Sequence, residues 1–242
     1  MTNNEDFRVK HRLTWLFLLS FFLIMSGAQV CFPAEKGYIP VETVTGRITA
    51  LNGFVWNYGY DIELKDDRVL VHIAINLIPA EGVTRPELDR VKDKWEAGIE
   101  RIWNDRFSLV TLTGERYPVV INVTFSGSRF HHDVIISRSS GKTDELNWNL
   151  MISPEAAAHE FGHMIGVFDE YRGGAIAPDI GVTDRTSIMT GGPDKGSETY
   201  ARQYEGIRRW FAEKTGLSGV SLMPIDQVKD AAGSKKDEPS FN

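Results

Sequence analysis

The sequence predicts an α+β fold in which a long helix covers a β-sheet. Three observations carry that expectation: a strand-rich first third, an amphipathic helical run after it, and a return to strand-like patterns before further helices. With 242 residues, 42% hydrophobic and 25% charged, the chain can bury one sizeable core or two small lobes, and one catalytic-sized domain is the simplest count. The formal charge of -6 supplies no broad basic surface, which argues against a nucleic-acid partner.

At the N-terminus, Arg8, Lys10 and Arg12 precede the apolar run LTWLFLLSFFLIM (13–25) and the small-residue triplet SGA (26–28). This is the pattern of a signal peptide over 1–28, cut after Ala28, and it predicts a secreted or periplasmic, cell-envelope protein that meets the membrane only during export. A retained membrane anchor is the competing reading, but the apolar run falls short of the roughly 20 residues that span a bilayer. Cys31 is the only cysteine, so no internal disulfide can form. Lipid modification of Cys31 is a minor alternative, because AQVC lacks the Leu and small residues usual before such a cysteine.

A linker over 29–40 should lead into the domain. Residues 41–78 are rich in Val, Ile and aromatics, with turn signals NG at 52 and KDD at 65, and predict three short strands, the last being RVLVHIAINLI. From Thr84 the period changes: Pro86 sits just inside a polar start, and Leu88, Val91, Trp95, Ile99, Ile102 and Trp103 recur at helical spacing as far as Asn104. YPVVINVTFS (117–126) and DVIISRS (133–139) read as two strands, followed by a short one at WNLMIS (148–153). Ser153 then offers an N-cap, Pro154 a first helical residue and Glu155 a favourable first-turn charge, and Gly166 a stop. Beyond Tyr171 the chain is glycine-rich and loop-like until SETYARQYEGIRRWFAEKTG (197–216) restores a helical pattern. The polar tail over 226–242 is expected to be disordered.

The helix that starts at Ser153 carries HEFGHMIGVFDEY (159–171). Residues four apart share a helix face, so His159 and His163 can aim two imidazoles at one ion, while Glu160, one step round, can address a water. HExxH alone arises by chance in about one chain in a hundred of this composition. Gly166 and Asp169 lower that to about one in ten thousand, and they have a physical rationale. A glycine at φ > 0 ends the helix and turns the chain back, so that Asp169 can meet the two histidines. Glu170 competes for that role with a longer arm from one place too far, and otherwise stabilises the turn.

Over residues 145–192 the chain resembles the metzincin metallopeptidases, in their HExxHxxGxxD variant, which includes the snapalysin-like enzymes. It also resembles a group of bacterial exported proteins with the phrase AHEFGHM, here beginning at Ala158. TSIMTGG (186–192), with Met189, matches the metzincin Met-turn in type and spacing. The resemblance implies a zincin with a twisted mixed sheet and backing helix in an N-lobe (41–166), an active-site helix, and a small C-lobe (167–225). It further implies one catalytic Zn2+ on His159, His163 and Asp169, Glu160 as general base, and a protein or peptide substrate pairing with an edge strand within SRSSGKTDELNWNL.

Two features depart from the family pattern: the third ligand is Asp rather than the commoner His, and Gly191 stands where some members keep a transition-state-stabilising tyrosine. Tyr171 and Tyr204 are candidates for the missing donor, beside the alternative that either is simply packed. His131, His132 and Asp133 raise a second metal site, against the commoner fate of histidines at a strand entry, which is packing or solvent exposure. The alternative function from another class is a non-catalytic, zinc-stabilised envelope or host-interaction module; a cell-wall metalloamidase is a third reading. Glu160 favours catalysis, since a binding module does not need it.

Overall fold

Asp66 and Asp67 take left-handed φ angles of 51° and 56°, a two-residue turn of the kind that matches strand twist. It folds β2 (Val55–Lys65) back onto β3 (Arg68–Pro79), while the NG turn folds β1 (Ile39–Thr49) onto β2. The computed structural model describes residues 37–125, 127–139, 141, 143–178 and 185–225. The predicted signal peptide, Cys31, most of the linker and the predicted disordered tail therefore lie outside the described residues. Of the linker, Ile39 and Pro40 already belong to β1, and the first three strands are long rather than short.

After β3 the chain crosses through α1 (Arg85–Trp103) and returns as β4 (Phe107–Val110) and β5 (Arg116–Phe125). β5 lies parallel to β3, β4 antiparallel to β5, and β8 (Ser221–Pro224) antiparallel to β4. At the other end of β3, from Ile75 onward, β6 (His132–Ser137) adds in parallel, and β7 (Asn147–Asn149) adds in parallel to β6. The result is the expected α+β architecture, among the described residues a sheet of eight strands of mixed direction in the order β1-β2-β3-β5-β4-β8, with β6 and β7 branching from β3. β4 and β8, four residues each, are too short to show a period and escape the sequence reading.

The helices hold the site through tryptophans. α1 buries Leu88, Trp95, Ile99, Ile102 and Trp103 against the sheet and against α2 (Pro154–Met164). Trp95 and Trp103 are wholly buried, and each such side chain contributes about 1.5–3 kcal/mol from its removed surface. Their indole N–H groups donate to Ile152 O (3.3 Å) and Ala158 O (2.8 Å), so both polar handles are satisfied by backbone at or near α2. The helices close up at Gly98, where a Cβ would lie 2.3 Å from that of Pro154. α1 starts as predicted, with Thr84 N–H donating to Glu87 (3.0 Å).

Two predicted elements are shorter than expected. The strand at 148–153 ends at Asn149, whose side chain accepts from Met151 N (2.9 Å) and whose carbonyl accepts from Ile152 N (3.2 Å), turning the chain into α2. The last helix, α3 (Glu205–Thr215), begins only after a 3-10 turn at Ala201–Tyr204; Gln203 accepts from Tyr200 N (2.9 Å), and residues 197–200 form no helix. Among the described residues no helix is long and apolar enough to cross a membrane.

Candidate metal centre

α2 owes its ends to side chains the sequence displays. Ser153 accepts from Ala156 N (3.0 Å), Pro154 occupies the first turn, and Glu155 pairs with Arg101 of α1 (2.6 Å). At the other end Gly166 adopts φ +88°, Gly166 N donates to His163 O (3.0 Å) and Val167 N to Gly162 O (2.9 Å). This double bond pattern caps the helix and reverses the chain, which only glycine does without strain.

The turn delivers Asp169 to the face that carries the two histidines. Asp169 Oδ1 lies 3.1 Å from His159 Nε2 and 3.4 Å from His163 Nε2, and all three side chains are buried. His159 Nδ1 is 2.9 Å from Ile188 O, and His163 Nδ1 is 2.8 Å from Val167 O. A carbonyl only accepts, so each Nδ1 carries a proton, and in its neutral form each ring turns an Nε2 lone pair towards Asp169. Three lone pairs therefore converge. Asp169 Oδ1 is one of two buried side-chain polar atoms among the described residues without a hydrogen-bond partner; the other is the donor Trp148 Nε1. A buried carboxylate oxygen without a donor, facing two imidazole lone pairs, is the arrangement a cation satisfies.

Protonation is the other way to relieve it. Burial pushes the His163 imidazole down, but the Asp169 carboxylate at its Nε2, together with Glu160 and the Val167 carbonyl, makes the net shift upward. Burial likewise opposes ionisation of Asp169, yet the two histidines hold its carboxyl well below the usual range. Both shifts describe one attraction: the pocket calls for positive charge at the point between these three side chains.

Glu160 stands beside them. His159, Glu160 and His163 are buried and offer ligand atoms within 4.8 Å of one another, a group that could hold a metal ion. Burial raises the Glu160 carboxyl, and the two imidazoles only partly reverse this. Glu170 points elsewhere: it receives a two-point contact from Arg202 (2.7 and 2.7 Å) and a bond from Gln203 Nε2 (3.3 Å). Met189 is wholly buried beneath the helix, its Sδ 2.5 Å from the place a Cβ on Gly162 would take. Glu170 N donates to Met189 O (2.8 Å), which ties the turn after α2 to the methionine turn.

Of the two tyrosines weighed as donors, Tyr204 is excluded by position: it is wholly buried under α1 and donates to Trp103 O (2.6 Å). Tyr171 is at the centre, its ring 6.3 Å from that of His159. Burial, then the charges of Asp169 and Glu160, push its hydroxyl up to about 12, so it stays protonated. His131, His132 and Asp133 do not converge. His131 accepts from Ala74 N (2.9 Å) and faces Asp61 (3.3 Å), His132 reaches Gly59 O (2.9 Å), and Asp133 accepts from Asn76 (2.7 Å).

The sequence reading missed several participants. Trp56 of β2 donates to His163 O (3.0 Å) and sets its ring edge-on to that imidazole at 5.3 Å. Glu145, in the turn before β7, is half-buried; burial and Asp144 raise its carboxyl, and His163 and Asp169 act on it. The carbonyls of Ile188 and Val167 orient the imidazoles, and a backbone group leaves no mark on residue type. Comparison of the chain with protein-family models, with curated proteins and with solved structures returned no significant match.

Proposed function

We propose that the chain is an exported zinc-dependent endopeptidase of metzincin type. The observation that carries this reading is the convergence of His159 Nε2, His163 Nε2 and Asp169 Oδ1, with Glu160 buried at their side. Two imidazole nitrogens and one carboxylate oxygen are a donor set that suits zinc better than calcium or magnesium, which favour all-oxygen shells. Three protein donors also match the catalytic rather than the closed, structural type of zinc site.

Bound there, zinc supplies Lewis acidity that polarises a peptide carbonyl and acidifies water. Glu160 takes one proton from the attacking water as the new C–O bond forms, and gives it to the amide nitrogen as the C–N bond breaks. No covalent enzyme intermediate is needed. Its buried setting raises its proton affinity towards what a general base working near neutrality requires. Ile188 O and Val167 O keep the imidazoles in the tautomer that presents Nε2. The edge strand expected within SRSSGKTDELNWNL is β7, which pairs with β6; on its outer side Asn147 already bonds Asp144 and the Asn149 carbonyl accepts from Ile152 N, so a peptide would have to displace those turns to add there. The signal-peptide pattern before Ala28 supports export.

The test combines zinc content with hydrolysis of a quenched, mixed-sequence peptide library by the wild-type chain and by Glu160→Gln. The wild type should hold one zinc and cleave; Glu160→Gln should keep the zinc and lose about 100-fold to 10,000-fold in turnover. Zinc without cleavage in the wild type would replace this reading with that of a zinc-stabilised binding module. A wild type that takes up no metal would sink both.

A further inference from the structure

Tyr171 sits in a slot cut by two glycines from different loops. A Cβ on Gly191 would lie 2.9 Å from Tyr171 Cδ2 and 3.0 Å from Cγ, so the ring lies directly on that backbone. A Cβ on Gly174 would lie 2.7 Å from Tyr171 Cζ and 2.6 Å from Asp169 Oδ2. The hydroxyl-bearing end of the ring and the Asp169 carboxylate therefore border the same small space. Both loops are tied down: Asp169 N donates to Ala175 O (3.0 Å), Gly174 N to Tyr171 O (3.2 Å), and Glu170 N to Met189 O (2.8 Å).

We infer that Tyr171 is a positioning residue for Asp169, its phenol hydroxyl donating to the carboxylate and fixing which oxygen faces the two imidazoles. The ring alone would fill the slot as phenylalanine, so the hydroxyl is the chemical reason for tyrosine. Asp169 Oδ2 already accepts from Ala175 N (2.6 Å). A donor from the phenol completes the outer side of the carboxylate and leaves Oδ1, the atom without a hydrogen bond, aimed at His159 and His163. The inference rests on the metal-binding part of the proposed function and not on peptide hydrolysis.

The experiment compares the wild type with Tyr171→Phe and Gly191→Ala. Three readouts are taken: zinc affinity by competition with a chromophoric chelator, the visible absorption of the cobalt-substituted protein, and the Tm of the metal-free chain. Tyr171→Phe should weaken zinc binding about tenfold or more, in line with the loss of a hydrogen bond to a ligating side chain. Its cobalt spectrum should change, and its metal-free Tm should fall by no more than the loss of a single hydrogen bond implies. Gly191→Ala, which pushes the ring out of its slot, should weaken zinc binding with the hydroxyl still present. Zinc affinity within about twofold of wild type in Tyr171→Phe, with an unchanged cobalt spectrum, would overturn the assignment, because a spent hydrogen bond to a ligand has a measurable effect. So would a fall in metal-free Tm far larger than one lost hydrogen bond implies, which would mark the residue as packing. A wild type that binds neither zinc nor cobalt would remove the metal reading itself before any variant is compared.

Discussion

Two adjacent carboxylates, Asp169 and Glu170, are sent in opposite directions by the turn that follows α2. Asp169 faces the imidazoles with one oxygen unspent, whereas Glu170 is consumed by Arg202 and Gln203. Their replacements should therefore separate two properties. Asp169→Ala should lose zinc affinity by well over tenfold, the effect of removing one of three donors, as read by chelator competition. Glu170→Gln should bind zinc nearly as the wild type does but melt earlier. The loss is about 2 kcal/mol, because Arg202 is left short of its charged partner in a mostly buried setting. Equal zinc affinities in the two variants would contradict the orientation described here. The spacing HxxxHxxGxxD was visible in residue types. The choice between neighbouring acids was not, since it depends on where the chain points after one left-handed residue.

At the scale of elements, α2 is defined by its caps and by what it must clear. Gly166→Ala places a side chain at φ +88°, with its Cβ 3.3 Å from Tyr58 Cγ, and should cost about 1–2 kcal/mol of stability. Because the same residue steers Asp169, zinc affinity should fall with it; a variant that melts early yet binds zinc as tightly as wild type would argue against that coupling. α1 provides a pH test away from the centre. Hydrogen bonds from Thr84, backbone then side chain, and the Arg138 guanidinium hold the Glu87 carboxyl down at about 2, from an ordinary 4.5. A depressed carboxyl stabilises the folded chain fully above pH 4.5, and that contribution is lost as pH falls through about 2. Thermal melts in chelator should therefore show a shallower acid slope for Glu87→Gln than for wild type across this window. Parallel slopes would mean the cap does not hold in solution.

Across the whole molecule, the centre joins segments far apart in the chain. His159 is oriented by Ile188 O across 29 positions, and His163 O accepts from Trp56 across 107. An ion bound at the convergence point would tie α2 to the turn at Asp169. Its removal should lower stability by the linkage free energy, about 2.7 kcal/mol when free zinc stands at a hundredfold excess over Kd, and the Tm with it. Melting with and without chelator measures this directly, and His163→Ala should abolish the difference. A wild-type Tm indifferent to chelator would mean that no ion spans these segments.

What the sequence determined by itself is local. Hydrophobic period set α1, the Ser153 cap and Gly166 bounded α2, alternation and turn residues marked six of the eight strands, and the motif put two histidines on one helix face. These are properties of neighbours a few residues apart, where propensity, capping and turn chemistry act. The tertiary structure alone decided the rest. It set the branching of β6 from β3, the pairing of β4 with β8, the orienting carbonyls at Ile188 and Val167, Trp56 against His163, and the burial of Tyr204 beside the exposure of Tyr171 to the centre. Each of these joins atoms from distant segments, often backbone atoms that every residue type carries. Their meeting is fixed by packing and sheet register, not by residue identity at the position concerned.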